Sequence, residues 1–375
     1  MTRQFDIAIT GGGLAGLSLS ILLAEKGWNV CLFEKESYPF HKVCGEYVSM
    51  ESREFLLSLG LPLENWHLPQ IHKLKITAPG GAYVQAELPL GGFGISRFKL
   101  DGALAGIARS KGVTVLENTK VFDIHFERDH HRVETARGLF TATVACACFG
   151  KKSNLDVKWK RRFLLKERKR NYVGVKYHIR TLLPENQIEL HNFSGGYCGV
   201  SKIEEDRYCL CYLTDSENLR RHRQSISGME EEILKRNPFL KKLMDESVML
   251  YNEPLTISQI SFAKKNQVEN HVLYIGDAAG MITPLCGNGM SMALHGSKLA
   301  AESIQDFLSG RVSREKMEEE YKRNWNGHFA GRLRTGRVIQ RFFGHPFFST
   351  FLIRTLKPFP GLVRLLIRQT HGEKF

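Results

Sequence analysis

Two rhythms of apolar residues run along this chain, one of period two and one of helical period. Both occur in its opening stretch, DIAITGGGLAGLSLSILLAEKGWNVCLFEKE. Ile7 and Ile9 alternate with small residues in a short strand; Leu14, Leu17, Ile21, Leu22 and Ala24 then take helical spacing until Gly27 stops it. Residues 74–77 and 83–88 predict a hairpin around a Pro-Gly-Gly turn. Residues 172–179, 187–193, 197–203 and 208–213 predict further antiparallel strands. Helical segments follow from Ser216, broken at Asn237-Pro238. A strand over 272–275 runs into Gly276-Asp277, and a helix is expected from about Met290 to Phe307. After Glu320 the chain reads as short helices broken at Pro346, Pro358 and Pro360, expected either as a lid over the antiparallel-sheet domain or as an interfacial helix pair. The whole pattern predicts an α/β fold. Residues 1–66, 96–169 and 266–310 form a doubly wound, Rossmann-like domain with a β-meander, 67–95 and 170–265 an antiparallel-sheet domain, and 311–375 a C-terminal helical segment.

Composition narrows the class. A chain of 375 residues with 42% hydrophobic and 25% charged positions is globular and long enough for two domains. MTRQFDIAIT leads straight into a strand without an apolar leader, and no apolar run nears the roughly 20 residues of a membrane span. Eight cysteines without framework spacing point to free thiols in a reducing, cytoplasmic setting. Neither paired CxxC nor HExxH spacing occurs, His130-His131 reads as a polar turn, and no metal site is expected.

The net charge of +14 is unevenly spread. Residues 151–170 hold ten Lys/Arg against two acids, and 321–375 hold eleven against one, interleaved with eight phenylalanines. Such runs are commonly solvated faces. The functional alternatives are an anionic cofactor, an acidic carrier protein or a membrane surface met peripherally. Nucleic acid is not expected, because no helix-turn-helix, zinc-finger or RNP pattern is present.

Gly11, Gly13 and Gly16 supply GxGxxG between the first strand and helix. The first permits the tight turn, the second lets backbone approach a pyrophosphate, and the third allows helix and strand to pack closely. Leu14 and Ala15 open the helix, whose free N–H groups favour phosphate. Glu34 ends the next strand, at the distance where an acid holds a ribose hydroxyl and disfavours a 2′-phosphate. FAD and NAD remain as ligands of this site.

A second signal lies in VLYIGDAAGMITPLCGNGMSMALHGSKLAAESI. With Arg97 in GISRFKLDGALAGIARSKGV, this arrangement resembles the flavoprotein family of p-hydroxybenzoate hydroxylase and geranylgeranyl reductase, over nearly the whole chain to about residue 310. The resemblance implies FAD as the cofactor. It implies that Asp277, after Gly276, bonds the ribityl chain and that Gly287 and Gly289 let backbone approach the ring. Pro284, Asn288 and Met290 would border that approach, with the helix amino terminus facing the ring edge where reduction places negative charge. Arg97 would meet the sugar and phosphate, Val121 would cover the adenine, and Lys35, Lys42 and Val43 would complete the shell.

Three departures from the family pattern carry weight. Phe149-Gly150 stands where many hydroxylases have Asp-Gly, a pair tied to flavin and NADPH handling. The WxWxIP signature of tryptophan halogenases is absent. GGYCGVSK keeps Tyr197 of the reductases' substrate-facing segment but has Gly199 in place of its tryptophan.

HKVCGEYVS follows Glu34 on a loop, and in the reductase branch a Cys-Gly-Glu segment here borders the flavin ring. Cys44 is then either a proton donor opposite hydride delivery or a packing residue. Glu46 either orients a substrate or caps a helix. Tyr197 is a hydrogen-bond donor to a carbonyl substrate or a packing residue. No second GxGxxG is present, so either NADPH or NADH docks without a domain of its own or electrons arrive from another donor. The expected activity is hydride transfer between FAD and a hydrophobic isoprenoid, polyene or polyketide-like substrate. The alternatives are an FAD-dependent monooxygenase or halogenase, and a non-enzymatic redox partner at a membrane.

Overall fold

The computed structural model describes residues 3–166, 171–283, 287–342, 344–358, 361 and 372–375. Eight strands make the first sheet: β1 (Arg3–Thr10), β2 (Val30–Phe33), β3 (Thr114–Leu116), β4 (Val121–Glu127), β5 (His130–Thr135), β6 (Gly138–Ala147), β7 (Val268–Glu269) and β8 (Val272–Tyr274). Their order is β7-β8-β6-β1-β2-β3, with β5 bridging β6 to β4. β3, β2, β1, β6 and β8 run parallel, while β4 and β5 form the meander. Five helices matter below: α1 (Leu14–Ala24), α2 (Arg97–Ser110), α3 (Gly289–Leu308), α4 (Arg314–Phe342) and α5 (Pro346–Leu356). α1 packs on both α2 and α3, and the Ser18 and Ser297 hydroxyls meet at 2.6 Å. Ile7, Ile9, Val30 and Leu32 are completely or almost completely buried, so the parallel centre needs apolar residues on both faces.

His130-His131 is not a turn. Both lie in β5, His131 is buried, and the chain reverses one step earlier, at Arg128 and Asp129. Those two residues have φ of 50° and 61°, the left-handed pair that a tight hairpin needs and an aspartate tolerates well.

The second sheet has nine strands, all paired antiparallel except Gln187–Phe193, which runs parallel to Gln70–Thr77. Those two strands come from distant stretches of chain, so no hairpin fixes their sense. Tyr47–Ser49, which the sequence reading placed in the first domain, joins the edge of this sheet against Tyr83–Gly94.

The strand Tyr172–Arg180 shows how the second sheet is used. Val173, Val175, Tyr177 and Ile179 point one way into a cluster with Met229, Leu234, Leu240 and Leu243 of the flanking helices. Gly174, Lys176 and His178, on the opposite face by period-two alternation, look toward the loop that holds Cys44. The helical stretch does break at Asn237-Pro238, and the break is the start of the next helix: the Asn237 side chain caps the Phe239 N–H, and Pro238 takes the first turn.

The C-terminal segment also differs from a run of short helices over the second domain. α4 is continuous for 29 residues and packs on α3, with Tyr321, Trp325 and Phe329 inside the nucleotide-domain core. The Tyr321 hydroxyl donates to the Tyr274 carbonyl at 2.7 Å. α5 lies on the second sheet, where Ile353 joins Ile71, Leu74 and Leu190. Pro346 starts α5; Pro360 lies outside the described residues.

Candidate functional site

The glycine turn after β1 is as tight as its spacing demands. Gly11 has φ +101°, and a Cβ there would lie 2.6 Å from the Cys148 carbonyl oxygen. A Cβ on Gly16 would collide with the Gly11 carbonyl, so helix and strand close on each other only because no side chain intervenes. Gly13 is different: its Cβ direction opens toward Arg97 Nη2 at 3.5 Å and Lys42 Nζ at 3.7 Å. No side chain caps α1 and no acid sits in its first turn, where Leu14 and Ala15 lie. Uncapped N–H groups, an open glycine and two convergent cations fit a pyrophosphate.

Glu34 is buried at the end of β2. One carboxylate oxygen accepts the Gly12 N–H at 2.8 Å and the other the Lys35 N–H at 2.8 Å. The Lys35 side chain itself is exposed and faces Glu36. Thr119 N–H donates to the Glu34 carbonyl, which brings Val121, buried at the head of β4, to this end of the sheet.

Arg97 opens α2. Its guanidinium makes two bonds of 2.7 Å to Asp101 one turn on, and Lys42 Nζ reaches the same carboxylate at 3.0 Å. Burial alone would raise the Asp101 pKa, but Arg97 and Lys42 hold it below the usual carboxylate range. Burial likewise opposes the Arg97 charge, and Asp101 with the neighbouring Cys44 thiol more than compensates. Arg97 thus borders Gly13 on one side and Cys44 on the other.

The loop carrying Cys44 is held from below by side chains bonded to its carbonyls. Lys176 Nζ donates to Lys42 O at 3.1 Å, Lys151 Nζ to Val43 O at 3.1 Å, and the Cys209 thiol to Cys44 O at 3.2 Å. Cys44 itself is half-buried. Glu46, completely buried at φ 55°, ties the loop to three elements. It accepts the Arg97 N–H at 2.8 Å and Lys176 Nζ at 2.5 Å, and its second oxygen meets His178 Nε2 at 2.6 Å. Burial pushes its pKa up, but the bond to His178 and the Lys176 charge leave it below the ordinary value. His178 Nδ1 continues to the Tyr251 hydroxyl at 2.7 Å, and that hydroxyl to His41 Nε2 at 2.9 Å. Burial and the Lys176 charge lower the His41 pKa to about 4, so it is neutral at physiological pH.

Among the described residues, Glu46, His178 and Cys209 present potential metal ligands within 4.8 Å of one another. The Lys176 ammonium already occupies the Glu46 carboxylate, and burial holds the Cys209 thiol well above its usual pKa. A metal ion there would have to displace a charge of its own sign, so the cluster is a clamp on the loop.

The second glycine-bearing turn reaches the first. A Cβ on Gly276 would lie 3.1 Å from Ala15 Cβ on α1 and 3.4 Å from Ala293 Cβ on α3. Lys265 Nζ donates to Asp277 O at 2.9 Å, and Arg161 Nη1 to Ala278 O at 3.1 Å, fixing the turn that presents Asp277. Gly287 has φ +67° and faces the Tyr47 ring; Asn288 and Met290 are buried beside Gly289 at the start of α3, and Pro284 lies outside the described residues. Tyr197 is buried with Leu213, Ile260 and Met281, bringing the second sheet against the segment after Asp277.

Several of these residues escaped the sequence reading. Asp101 was findable, four residues after Arg97 on one helical face. Lys176 and His178 were signalled by polar residues alternating with apolar ones in a strand. Arg161 and Lys265 were not: Arg161 lies in the basic run 151–170, yet it is buried on Tyr274 with its guanidinium spent on backbone oxygens and acids. Part of that run is therefore internal bracing rather than a solvated face.

Fold and site together define a dinucleotide-binding flavoprotein. Residues 4–143 match the family described as FAD binding domain. That stretch is an FAD-binding domain, and the proteins the whole chain is similar to include FAD-dependent reductases, halogenases and monooxygenases. It is 23% identical to conditioned medium factor receptor 1 of Dictyostelium discoideum, over 90% of this chain and 70% of that protein. Tryptophan 2-halogenase of Chondromyces crocatus is 23% identical, over 90% and 67%. Digeranylgeranylglycerophospholipid reductase 1 of Methanococcoides burtonii is 23% identical, over 92% and 85%. Among solved structures, a geranylgeranyl bacteriochlorophyll reductase-like protein of Thermoplasma acidophilum superposes with a TM-score of 0.81 at 16% identity, covering 100% of this chain and 97% of that one. No helix among the described residues is long and apolar enough to cross a membrane.

Proposed function

We propose that this FAD-dependent oxidoreductase is a reductase of a hydrophobic substrate, acting on a C=C or enone of an isoprenoid, polyene or polyketide. FAD, once bound and reduced by two electrons from the donor, would supply the hydride equivalent for one carbon. The observation that carries the reading is Cys44: half-buried, on a loop held through three of its carbonyls, and beside the Arg97 that also borders Gly13. The thiol gives its proton to the second carbon, leaving a thiolate that solvent reprotonates. Arg97 and Lys176 supply positive charge near that thiolate. Glu46 keeps Lys176 and the start of α2 in place.

Across the loop, the sheet face carries small side chains, Gly174, Gly199 and Cys211, with Tyr197 near the Asp277 segment. A Cβ on Gly199 would meet nothing nearer than 3.5 Å, which suits a bulky apolar substrate where the reductases' tryptophan is missing. NADPH or NADH is the proposed electron donor.

The test is anaerobic reduction of the FAD-loaded protein with NADPH or NADH, followed by mass spectrometry of polyprenyl and polyene probes. Products heavier by two hydrogens are expected, and Cys44→Ser should keep its yellow colour while losing most turnover. Gain of an oxygen or halogen atom under air with halide would overturn the reading in favour of the halogenase relatives' chemistry.

A further inference from the structure

α5 is apolar on two opposite faces. Ser349 and Ile353, four residues apart, turn inward, and Ile353 with Leu352 packs on the second sheet. Phe347 and Phe351, also four residues apart, turn outward and are 69% and 62% exposed, with Phe348 between them at 45%. Arg354 continues the Phe347–Phe351 stripe by one more turn, and exposed Lys357 follows the helix end. A helix needs one apolar face to join a core; a second, made of aromatic rings and closed by cations, needs another explanation.

Charge identifies the occupant. From Tyr321 to Gly372 the chain has ten Lys/Arg and not one Asp or Glu, within a protein of net charge +14. A second copy of so cationic a surface repels the first. An acidic protein would satisfy the cations, but phenylalanine has no polar atom with which to meet its charged surface. A bilayer with anionic headgroups satisfies both: arginine and lysine at the phosphates, phenyl rings below them.

We propose that α5 docks the protein onto the surface of a membrane containing anionic lipid, with Phe347 and Phe351 inserted beneath the headgroups and Arg354 and Lys357 at them. The contact is peripheral and reversible, since one short helix buries little area. It is independent of the reductase reading and uses no residue of the FAD site.

The test is cosedimentation of the full-length, FAD-loaded protein with phosphatidylcholine vesicles, with and without phosphatidylglycerol. Binding is expected only with the anionic lipid, weakening as salt rises. The Phe347→Ser/Phe351→Ser double variant should retain its FAD absorbance and melting temperature, because both rings are outside the core, and should lose about tenfold or more in vesicle partitioning. Arg354→Gln/Lys357→Gln should abolish the preference for anionic lipid. Three results would overturn the proposal: no binding to anionic vesicles, undiminished binding by the phenylalanine variant, or a wild-type dimer that this variant turns into monomer without any vesicle binding.

Discussion

Alanine at Gly13 and alanine at Gly16 should have opposite consequences. At Gly13 the new methyl meets only the ends of Arg97 and Lys42 at ordinary distances, so the fold survives, but the methyl fills the approach a pyrophosphate needs. Gly13→Ala is expected to melt like the FAD-free wild type and to purify colourless. At Gly16 the methyl strikes the Gly11 carbonyl, which cannot move away from β1. Gly16→Ala should cost about 1–3 kcal/mol or more and lower the melting temperature of the apo-protein itself. The tight turn at these glycines and the place of Glu34 at the strand end were legible in the sequence because they depend on local geometry and spacing, whereas Arg97 was singled out only by the family resemblance. Tyr38, whose hydroxyl donates to the Gly12 carbonyl at 2.5 Å, was not legible. Nor was Lys265: each bonds a backbone atom supplied by a distant part of the chain, and such partners leave no mark in residue type.

At the scale of elements, the loop 41–46 is held by the strand Tyr172–Arg180 through Lys176 and His178. Period-two alternation puts those two residues on one face of the strand, but only the tertiary structure shows what that face meets. Lys176→Met would leave the Glu46 carboxylate buried with the Arg97 N–H and His178 but without its ammonium partner. The expected loss is about 3–5 kcal/mol in urea unfolding, the cost of breaking one side of a buried pair. Adding Glu46→Gln should restore part of it, because the unpaired charge is then gone. Full additivity of the two losses would show that the pair acts only as two separate packing residues.

For the molecule as a whole, acid is the expected weak point of the α3–α4 junction. His295 on α3 is stacked on Phe375 and lies near His328 on α4. Burial, then His328, Arg332 and Lys298, lower its pKa from 6.5 to about 4. A histidine depressed in the folded state takes up its proton more readily once unfolded, so stability is lost as pH falls from about 6.5 toward 4. The ceiling is about 3 kcal/mol for this group. His295→Leu should make that part of the pH–melting curve shallower, leaving the larger slope that His41 and His131, also held at about 4, contribute together.

The doubly wound domain and the second sheet were readable at this scale because each repeats a period. The placement of α4 was not, because a helix with Tyr321, Trp325 and Phe329 on one stripe fits a lid as well as a core wall. The meeting of Gly276 with Ala15 has a consequence for synthesis. The ribosome releases the first of these residues about 260 residues before the second. At roughly 5–20 residues per second, α1 waits on the order of a quarter to most of a minute before the partner turn exists. Cofactor capture is therefore a late event in the life of the nascent polypeptide, and until then the α1 flank is a target for chaperones.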